Sequence, residues 1–219
     1  MRFLDWARTA VSGRVLFTSS CENYASFFES GLLPVPTPED VFLGVKDITN
    51  PRWTYAASKM WGEVAFAQWG HDHTIVRFHN VYGPAMYSRH VVPEVFSKIW
   101  QGVSPLLVPS AGHTRTFCHV RDAALQTVTA MEHPDSLNRV VNIGSDDDEI
   151  TIGDLVRRMV KISGRDVPVE ADEDVRGSVS RRRADLTFLR TLLPEHRLTS
   201  MDDGLQECWD WQVANRWIA

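Results

Sequence analysis

Cysteine is scarce and odd in number: Cys21, Cys118 and Cys208 are the three in 219 residues. Their wide spacing suggests neither a disulfide framework nor a zinc site. No apolar run reaches the roughly 18 residues that a membrane-spanning helix needs. The opening MRFLDWARTA has no signal-peptide core or cleavage site. A cytoplasmic chain with no membrane partner is therefore expected. Basic charge is lacking too. The formal net charge is −5, and the one basic run, SRRRAD (180–185), is short and sits among acids, so no nucleic acid partner is expected. Internal repeats, low-complexity tracts and Ser/Gly linkers are also absent. What is present, 43% apolar and 23% charged residues, is the composition of an ordinary globular chain long enough to bury a core.

The hydrophobic pattern alternates helix and strand. Apolar positions at helical spacing in residues 2–11 end at Ser12-Gly13. RVLFTSS (14–20), TIVRFHNVYG (74–83) and RVVNIG (139–144) read as buried strands. Helices are predicted over 54–69, 92–101, 121–132, 150–164 and 202–213. A proline-studded loop, SGLLPVPTPEDVFLGVKDITNPRW, precedes the first of these, and a turn-rich SPLLVPSAGHTR lies in the middle. Apolar strands alternating with helices specify the α/β class, a parallel sheet covered by helices. Ligands bind such sheets at the carboxyl ends of the strands. Polar residues gather there: Ser19, Ser20 and Glu22 after the first strand, His79 and Asn80 at the second.

TYAASKMWGE (54–63) sets Tyr55 and Lys59 four residues apart, on one face of a helix. A free tyrosine ionises near pH ~10 and is a poor base at neutral pH. A neighbouring ammonium favours the phenolate, which can take a proton from an alcohol. Ser20, at a strand end, would hold that alcohol in line. An isolated Tyr-x-x-x-Lys is more often surface decoration, so the neighbouring segments decide. Other groups read as structural. His71-Asp72-His73 sits in a polar turn, where a hydrated loop outweighs a metal site. Cys118 reads as a small buried residue, and Trp209, Trp211 and Trp217 as a packed face. DDDE (146–149) reads as an acidic leader to the next helix. No metal is expected.

GRVLFTSSCENY, TYAASKMWGE, TIVRFHNVYGPAM, HVVPE, GHTRTFCHVRDA and VVNIGSDDDEITI follow one another in family order. That order, and nearly the spacing, resembles the extended short-chain dehydrogenase/reductase family, the group of sugar-nucleotide epimerases, dehydratases and decarboxylases. The resemblance covers essentially the whole chain. It implies that Ser20 is the catalytic serine, Tyr55 the catalytic base, and Lys59 the lysine that lowers its pKa and holds the nicotinamide ribose. Phe78 and His79 fall where the family's backbone meets the nicotinamide end of the cofactor. Asn80 falls where a side chain contacts the sugar nucleotide. His90, Arg115 and Arg182 match positions contacting the substrate's nucleotide, its diphosphate or the adjoining sugar, and a guanidinium fork suits phosphate oxygens. Related 4,6-dehydratases carry Asp-Glu after the Ser/Thr. Here the Asp position is Cys21, a poor general acid for expelling hydroxide, which argues against a 4,6-dehydratase. Glu22 is similar to UDP-glucuronate decarboxylases and several epimerases, and would handle a second proton. The implied cofactor is NAD, with NADP not distinguished, and the implied substrate a UDP-sugar.

Members of this family open with a strand, a G-x-x-G-x-x-G turn and a helix whose amides cradle the cofactor's pyrophosphate. This sequence has no such turn. RVLFTSS resembles the fifth strand of the family's sheet and RFLDWARTA the helix before it. The expected architecture is the C-terminal portion of a Rossmann-type parallel sheet plus a small mixed α/β lobe. Residues 1–83 would form the partial Rossmann domain and 84–219 the substrate lobe, with 119–144 packing back on the sheet. RVLFTSS then becomes an exposed apolar edge, the kind that pairs with another chain. Three readings stay open: a fragment of an ordinary enzyme, one half of an enzyme completed by a companion chain or homodimer, or an inactive homologue that binds a sugar nucleotide or a partner.

Overall fold

The computed structural model describes residues 2–174 and 178–215. Helix α1 (Arg2–Ala10) leads into β1 (Val15–Ser20), and after a winding segment α2 (Thr54–Ala67) returns the chain to β2 (His73–Phe78). β1 and β2 pair in parallel, from Val15↔His73 to Ser20↔Phe78. The chain then leaves the sheet through β3 (Val81–Tyr82), α3 (Val91–Trp100), β4 (Leu106–Pro109), β5 (Thr114–Arg115) and β6 (Cys118–His119). It comes back by α4 (Val120–Glu132) to β7 (Arg139–Ile143). β7 joins β2 in parallel, so the order is β1-β2-β7 with β1 at an edge. The remainder is β8 (Ile150–Thr151), α5 (Ile152–Ser163), β9 (Val169–Asp172), β10 (Arg181–Arg182), α6 (Thr187–Leu192) and α7 (Met201–Asn215).

Period-two alternation assigns the strand side chains to two layers. Val15, Phe17, Ile75 and Val140 pack with Leu4 and Ala7 of α1, Phe66 of α2, and Trp69 just beyond it. Leu16, Val76, Phe78, Val141 and Ile143 face the other way, against Ala123 and Ala130 of α4 and Leu189 of α6. α2 approaches β1 closely at Gly62, where a Cβ would stand 2.2 Å from the Phe17 ring. Only glycine permits that approach, and it brings the first turns of α2 to the carboxyl end of β1. Trp69 Nε1 donates to the Leu4 carbonyl at 3.1 Å and ties α1 to the segment after α2.

The outlying part has its own core. Phe96 and Ile99 of α3, Leu155 and Met159 of α5 and Leu205 of α7 close over Leu106 and Val108 of β4. Each such side chain contributes about 1.5–3 kcal/mol by leaving water. α5 begins at Thr151, whose Oγ accepts from Asp154 N at 3.0 Å, and ends at Gly164 with φ 68°. Threonine is a favoured cap at a helix start, and glycine supplies the left-handed residue that ends one.

Several elements depart from the sequence reading. Residues 21–29, left unassigned between the first strand and the proline-studded loop, form with Ser30 a 3-10 helix capped by Ser20, whose Oγ accepts from Glu22 N at 3.2 Å. Burial of Tyr24 and Ala25 holds it, although Gly31 and the prolines beyond do form the expected loop. The strand expected over 74–83 breaks at Asn80, which takes φ 41°, a left-handed backbone that asparagine tolerates. β3 beyond it pairs with β6 instead of extending the sheet. Six short strands and α6 lie outside the sequence reading, because segments of two to six residues carry too little periodicity. Cys118 is buried as expected, and Trp209 packs against the outlying core, while Trp217 lies outside the described residues. Among the described residues no group of three or more His, Cys, Asp or Glu side chains could hold a metal, and no helix is long and apolar enough to cross a membrane.

Candidate active site

The last two residues of β1 serve different layers because their side chains alternate. Ser19 is buried and its Oγ donates to Glu63 Oε1 at 2.6 Å. Asn23 Nδ2 donates to Ser19 Oγ at 3.0 Å and to Glu63 Oε1 at 2.7 Å. Arg77, near the end of β2, closes the group with two bonds to Glu63, Nε to Oε1 at 2.9 Å and a terminal nitrogen to Oε2 at 2.7 Å. The ion pair is almost out of water, with side-chain exposures of 3% and 6%. A bidentate, fully bonded pair of this kind fixes geometry more than it adds stability. Here it pins α2 against the carboxyl ends of β1 and β2.

Ser20 turns to the opposite side and lines a cavity of about 380 Å³. Cys21, Glu22, Tyr55, Phe78, Asn80, His90 and Arg182 line the same cavity, with Tyr82, Val92 and Phe117 as apolar wall. Arg182 comes from β10, far along the chain. Its guanidinium donates to Glu22 Oε1 at 2.7 Å and to Cys21 Sγ at 3.5 Å. Burial works against this charge, but Cys21 and Glu22 beside it prevail and hold Arg182 above the usual arginine range. Burial pushes the Cys21 thiol up, partly offset by Arg182, so the thiol stays neutral at physiological pH and is no acid for expelling hydroxide. Glu22 is thus a paired, half-buried carboxylate and not a hydrated loop residue. Tyr55 stands on the first turn of α2 with 51% of its surface exposed. The Lys59 ammonium lies 5.7 Å from its ring centroid and donates to the Thr18 carbonyl at 2.8 Å.

Seven of the ten residues singled out from the sequence therefore share one cavity: Ser20, Glu22, Tyr55, Phe78, Asn80, His90 and Arg182. Lys59, His79 and Arg115 do not line it. His79 sends its backbone N–H to the Ile143 carbonyl at 2.9 Å, and its ring turns inward. There Nε2 meets the Tyr24 hydroxyl at 2.9 Å and Asn142 Oδ1 at 3.3 Å. Burial first, and the charge of Arg182 next, push His79 down to about 3, so the ring is a neutral prop. Arg115 is the Cα partner of Arg182 across the β5–β10 pair. Its guanidinium donates to the Thr114 carbonyl at 2.7 Å and to that of Val179, and burial with Arg182 nearby lowers it to about 10. Asn80 lines the cavity but spends one N–H on the Thr116 carbonyl at 2.9 Å.

Four supporting residues escaped the sequence reading: Ser19 as a partner of Glu63, and Asn23, Glu63 and Arg77 themselves. A signal existed for two of them. A glutamate beside Gly62 on the packed side of α2, and an arginine inside an apolar strand, each demand a partner.

The profile of the NAD dependent epimerase/dehydratase family matches residues 1–144. The chain is 27% identical over 209 residues to the UDP-N-acetyl-alpha-D-glucosaminuronate decarboxylase of Bacillus cytotoxicus, which covers 90% of this chain and 63% of that relative. UDP-D-apiose/UDP-D-xylose synthase 1 of Arabidopsis thaliana is 27% identical over 240 residues, covering 91% of this chain and 61% of that protein. The fold superposes with a TM-score of 0.82, at 22% identity, on UDP-glucuronic acid 4-epimerase from Bacillus cereus in complex with UDP-glucuronic acid and NAD. That superposition spans 98% of this chain and 66% of the epimerase. The chain thus spans somewhat less than two thirds of the length of these relatives. With the profile matched from α1 to the end of β7, the chain belongs to the NAD dependent epimerase/dehydratase family.

Proposed function

We propose that this chain carries the substrate side of the active site of an NAD-dependent nucleotide-sugar enzyme acting at the sugar C4, with epimerisation or decarboxylation as the outcome. The observation that carries the reading is the convergence of Ser20, Tyr55 and the Glu22–Arg182 pair on one cavity. The names of the relatives narrow the substrate class. A UDP-hexuronate decarboxylase and a UDP-glucuronic acid epimerase are both similar to this chain, so a UDP-linked hexuronate is the favoured substrate.

The residues present fit one end of the dinucleotide. Tyr55 is exposed at the cavity mouth, and the Lys59 ammonium beside it is a donor of the kind that holds a ribose. The other end finds no cradle, because none of the 13 glycines stands in a G-x-x-G-x-x-G turn. When bound, NAD supplies hydride acceptance and return at the sugar carbon. Tyr55 takes the C4 hydroxyl proton and later gives it back. Ser20 orients that hydroxyl. Its Oγ already accepts from Glu22 N, so its own O–H points to another acceptor. Glu22 is placed for a second proton next to the sugar. Arg182 gives that end of the cavity a fixed positive charge, suited to a hexuronate carboxylate or a diphosphate oxygen.

A second reading is a sugar-nucleotide-binding module without turnover, since the cavity and its Arg182–Glu22 pair would serve binding as well as chemistry. Titration calorimetry of the chain with UDP-glucuronate and with NAD separates the two. The enzyme reading expects UDP-glucuronate to bind, and turnover to appear once a glycine-rich companion is added. Sugar-nucleotide binding with no turnover under any such complementation would leave only the binding module.

A further inference from the structure

A second cavity, of about 600 Å³, lies beyond β7, at the end of the sheet opposite β1. Its walls are the loop 144–148 that follows β7, helix α6, and the stretch 196–201 that leads into α7. It shares a single lining residue, Phe117, with the cavity that Ser20 and Tyr55 line. The proposed function makes no use of it.

Contacts of their own hold these walls. Gln126 of α4 donates to the Gly144 carbonyl at 2.9 Å and accepts from Gly144 N at 3.0 Å. Arg190 of α6 grips Asp146 with two bonds, Nε to Oδ2 at 3.0 Å and a terminal nitrogen to Oδ1 at 2.6 Å. The buried Asp122 accepts from Thr199 N at 2.9 Å, and its other oxygen stands 3.1 Å from His196 Nε2. Ser200 caps α7, its Oγ donating to Asp203 Oδ2 at 2.6 Å and accepting from Asp203 N at 3.1 Å. Asp148 is taken by Arg158 at 3.3 Å. A site braced in this way is formed before a ligand arrives, which lowers the cost of binding one.

Those contacts leave two charged side chains of the lining unengaged, and they are of opposite sign. Among the described residues no hydrogen bond or ion pair holds the Asp147 carboxylate or the Arg197 guanidinium. Asp147 acts on Arg190 only at a distance. The two stand on different walls, one in the loop after β7 and the other before α7. Leu186, Leu189, Leu193, Leu198 and Met201 give the lining its apolar surface. One carboxylate and one guanidinium with such a surface suit a ligand with an ammonium at one end, a carboxylate at the other and an aliphatic body. The volume of about 600 Å³ falls within the ~300–1,000 Å³ usual for small-molecule sites, more room than one amino acid needs.

We propose that this cavity binds a short apolar peptide of the dipeptide class, its free carboxylate on Arg197 and its free ammonium on Asp147. Titration calorimetry of the chain with leucyl-leucine tests it, and leucine-methyl NMR locates the peptide. Saturable binding is expected, with methyl shifts at Leu189 and Leu198 that UDP-glucuronate does not reverse. N-acetyl-leucyl-leucine lacks the ammonium and leucyl-leucine amide the carboxylate. Each is expected to bind roughly tenfold more weakly, the worth of a hydrogen bond to a charged group. Asp147 and Arg197 are exposed, so Asp147→Asn and Arg197→Met should keep cooperative thermal unfolding while each weakens leucyl-leucine roughly tenfold. Asp147→Asn should no longer discriminate against the acetylated peptide, nor Arg197→Met against the amide. Free leucine is expected to bind more weakly than the dipeptide. Absence of saturation, undiminished affinity of either blocked peptide, or undiminished affinity in either variant overturns the proposal. Reversal of the methyl shifts by UDP-glucuronate places the peptide in the other cavity and overturns it too. Free leucine binding as tightly as leucyl-leucine overturns the dipeptide class.

Discussion

Arg182 and Glu22, 160 residues apart in sequence, meet at 2.7 Å on the wall of the cavity that Ser20 and Tyr55 line. The contact joins the segment after β1 to β10, so this cavity is built only when the outlying part packs against the sheet. Glu22→Gln keeps the shape but leaves the guanidinium with a neutral partner. The expected cost is about 1–3 kcal/mol, below the ~3–5 kcal/mol of a fully buried pair because Glu22 retains 27% exposure. Urea unfolding at pH 7 measures it. Arg182→Met is expected to raise the Kd for UDP-glucuronate at least tenfold in calorimetry. Full affinity in that variant would place the anion elsewhere.

Tyr55→Phe removes one oxygen from a half-exposed side chain, so stability should stay within about 0.5 kcal/mol. On the proposed function, turnover should fall by roughly 10²–10⁴, the usual worth of a positioned general acid or base. UDP-sugar affinity of the chain is expected to stay within a factor of three. A variant that keeps its activity would remove Tyr55 from the chemistry and return it to the helix surface.

How much of this was legible beforehand differs between residues. The three main strands carry their signals in apolar runs of six residues or so, and α2 in Tyr55, Lys59 and the packed residues after them. Seven of the candidate residues fall on one cavity because each is anchored near a strand end or a helix start. Lys59, His79 and Arg115 show where pattern runs out. Their positions follow the family order, but their side chains obey local opportunity: a free carbonyl at Thr18, an internal acceptor at Asn142, and the carbonyls of Thr114 and Val179. The short strands β5, β8 and β10 were illegible for a different reason. Pairing at two residues each, they exist only through partners distant in sequence.

The packing at Gly62 gives a prediction that tests how tightly α2 is held. A methyl group there would meet Phe17 at 2.2 Å, well inside contact distance. Gly62→Ala improves helix propensity by about 1 kcal/mol, yet overpacking of a close-packed core costs about 1–3 kcal/mol. The net outcome is destabilisation, read as a lower Tm. Because the strain falls between α2 and β1, the Lys59–Thr18 contact should loosen as well, read as faster labelling of the Lys59 amine. A rise in Tm would mean that Phe17 repacks freely.

His79 gives the chain a pH dependence whose sign can be worked out. Its ordinary value is 6.5 and burial, with Arg182 second, lowers it to about 3 in the folded protein. The ring faces Tyr24 from the 3-10 segment and Asn142 from β7, while Arg77 on β2 also disfavours its charge. Between pH 6.5 and about 3 the unfolded chain therefore binds one more proton at this residue than the folded chain does. Stability attributable to His79 is present above pH 6.5 and is lost as pH falls through that window, with a limiting slope of about 1.4 kcal/mol per pH unit. Urea unfolding at intervals from pH 7 to 4, compared between the wild type and His79→Gln, isolates this contribution. The wild type should lose stability faster by about one proton's worth. Parallel pH profiles would mean that the buried ring is not held neutral by the fold.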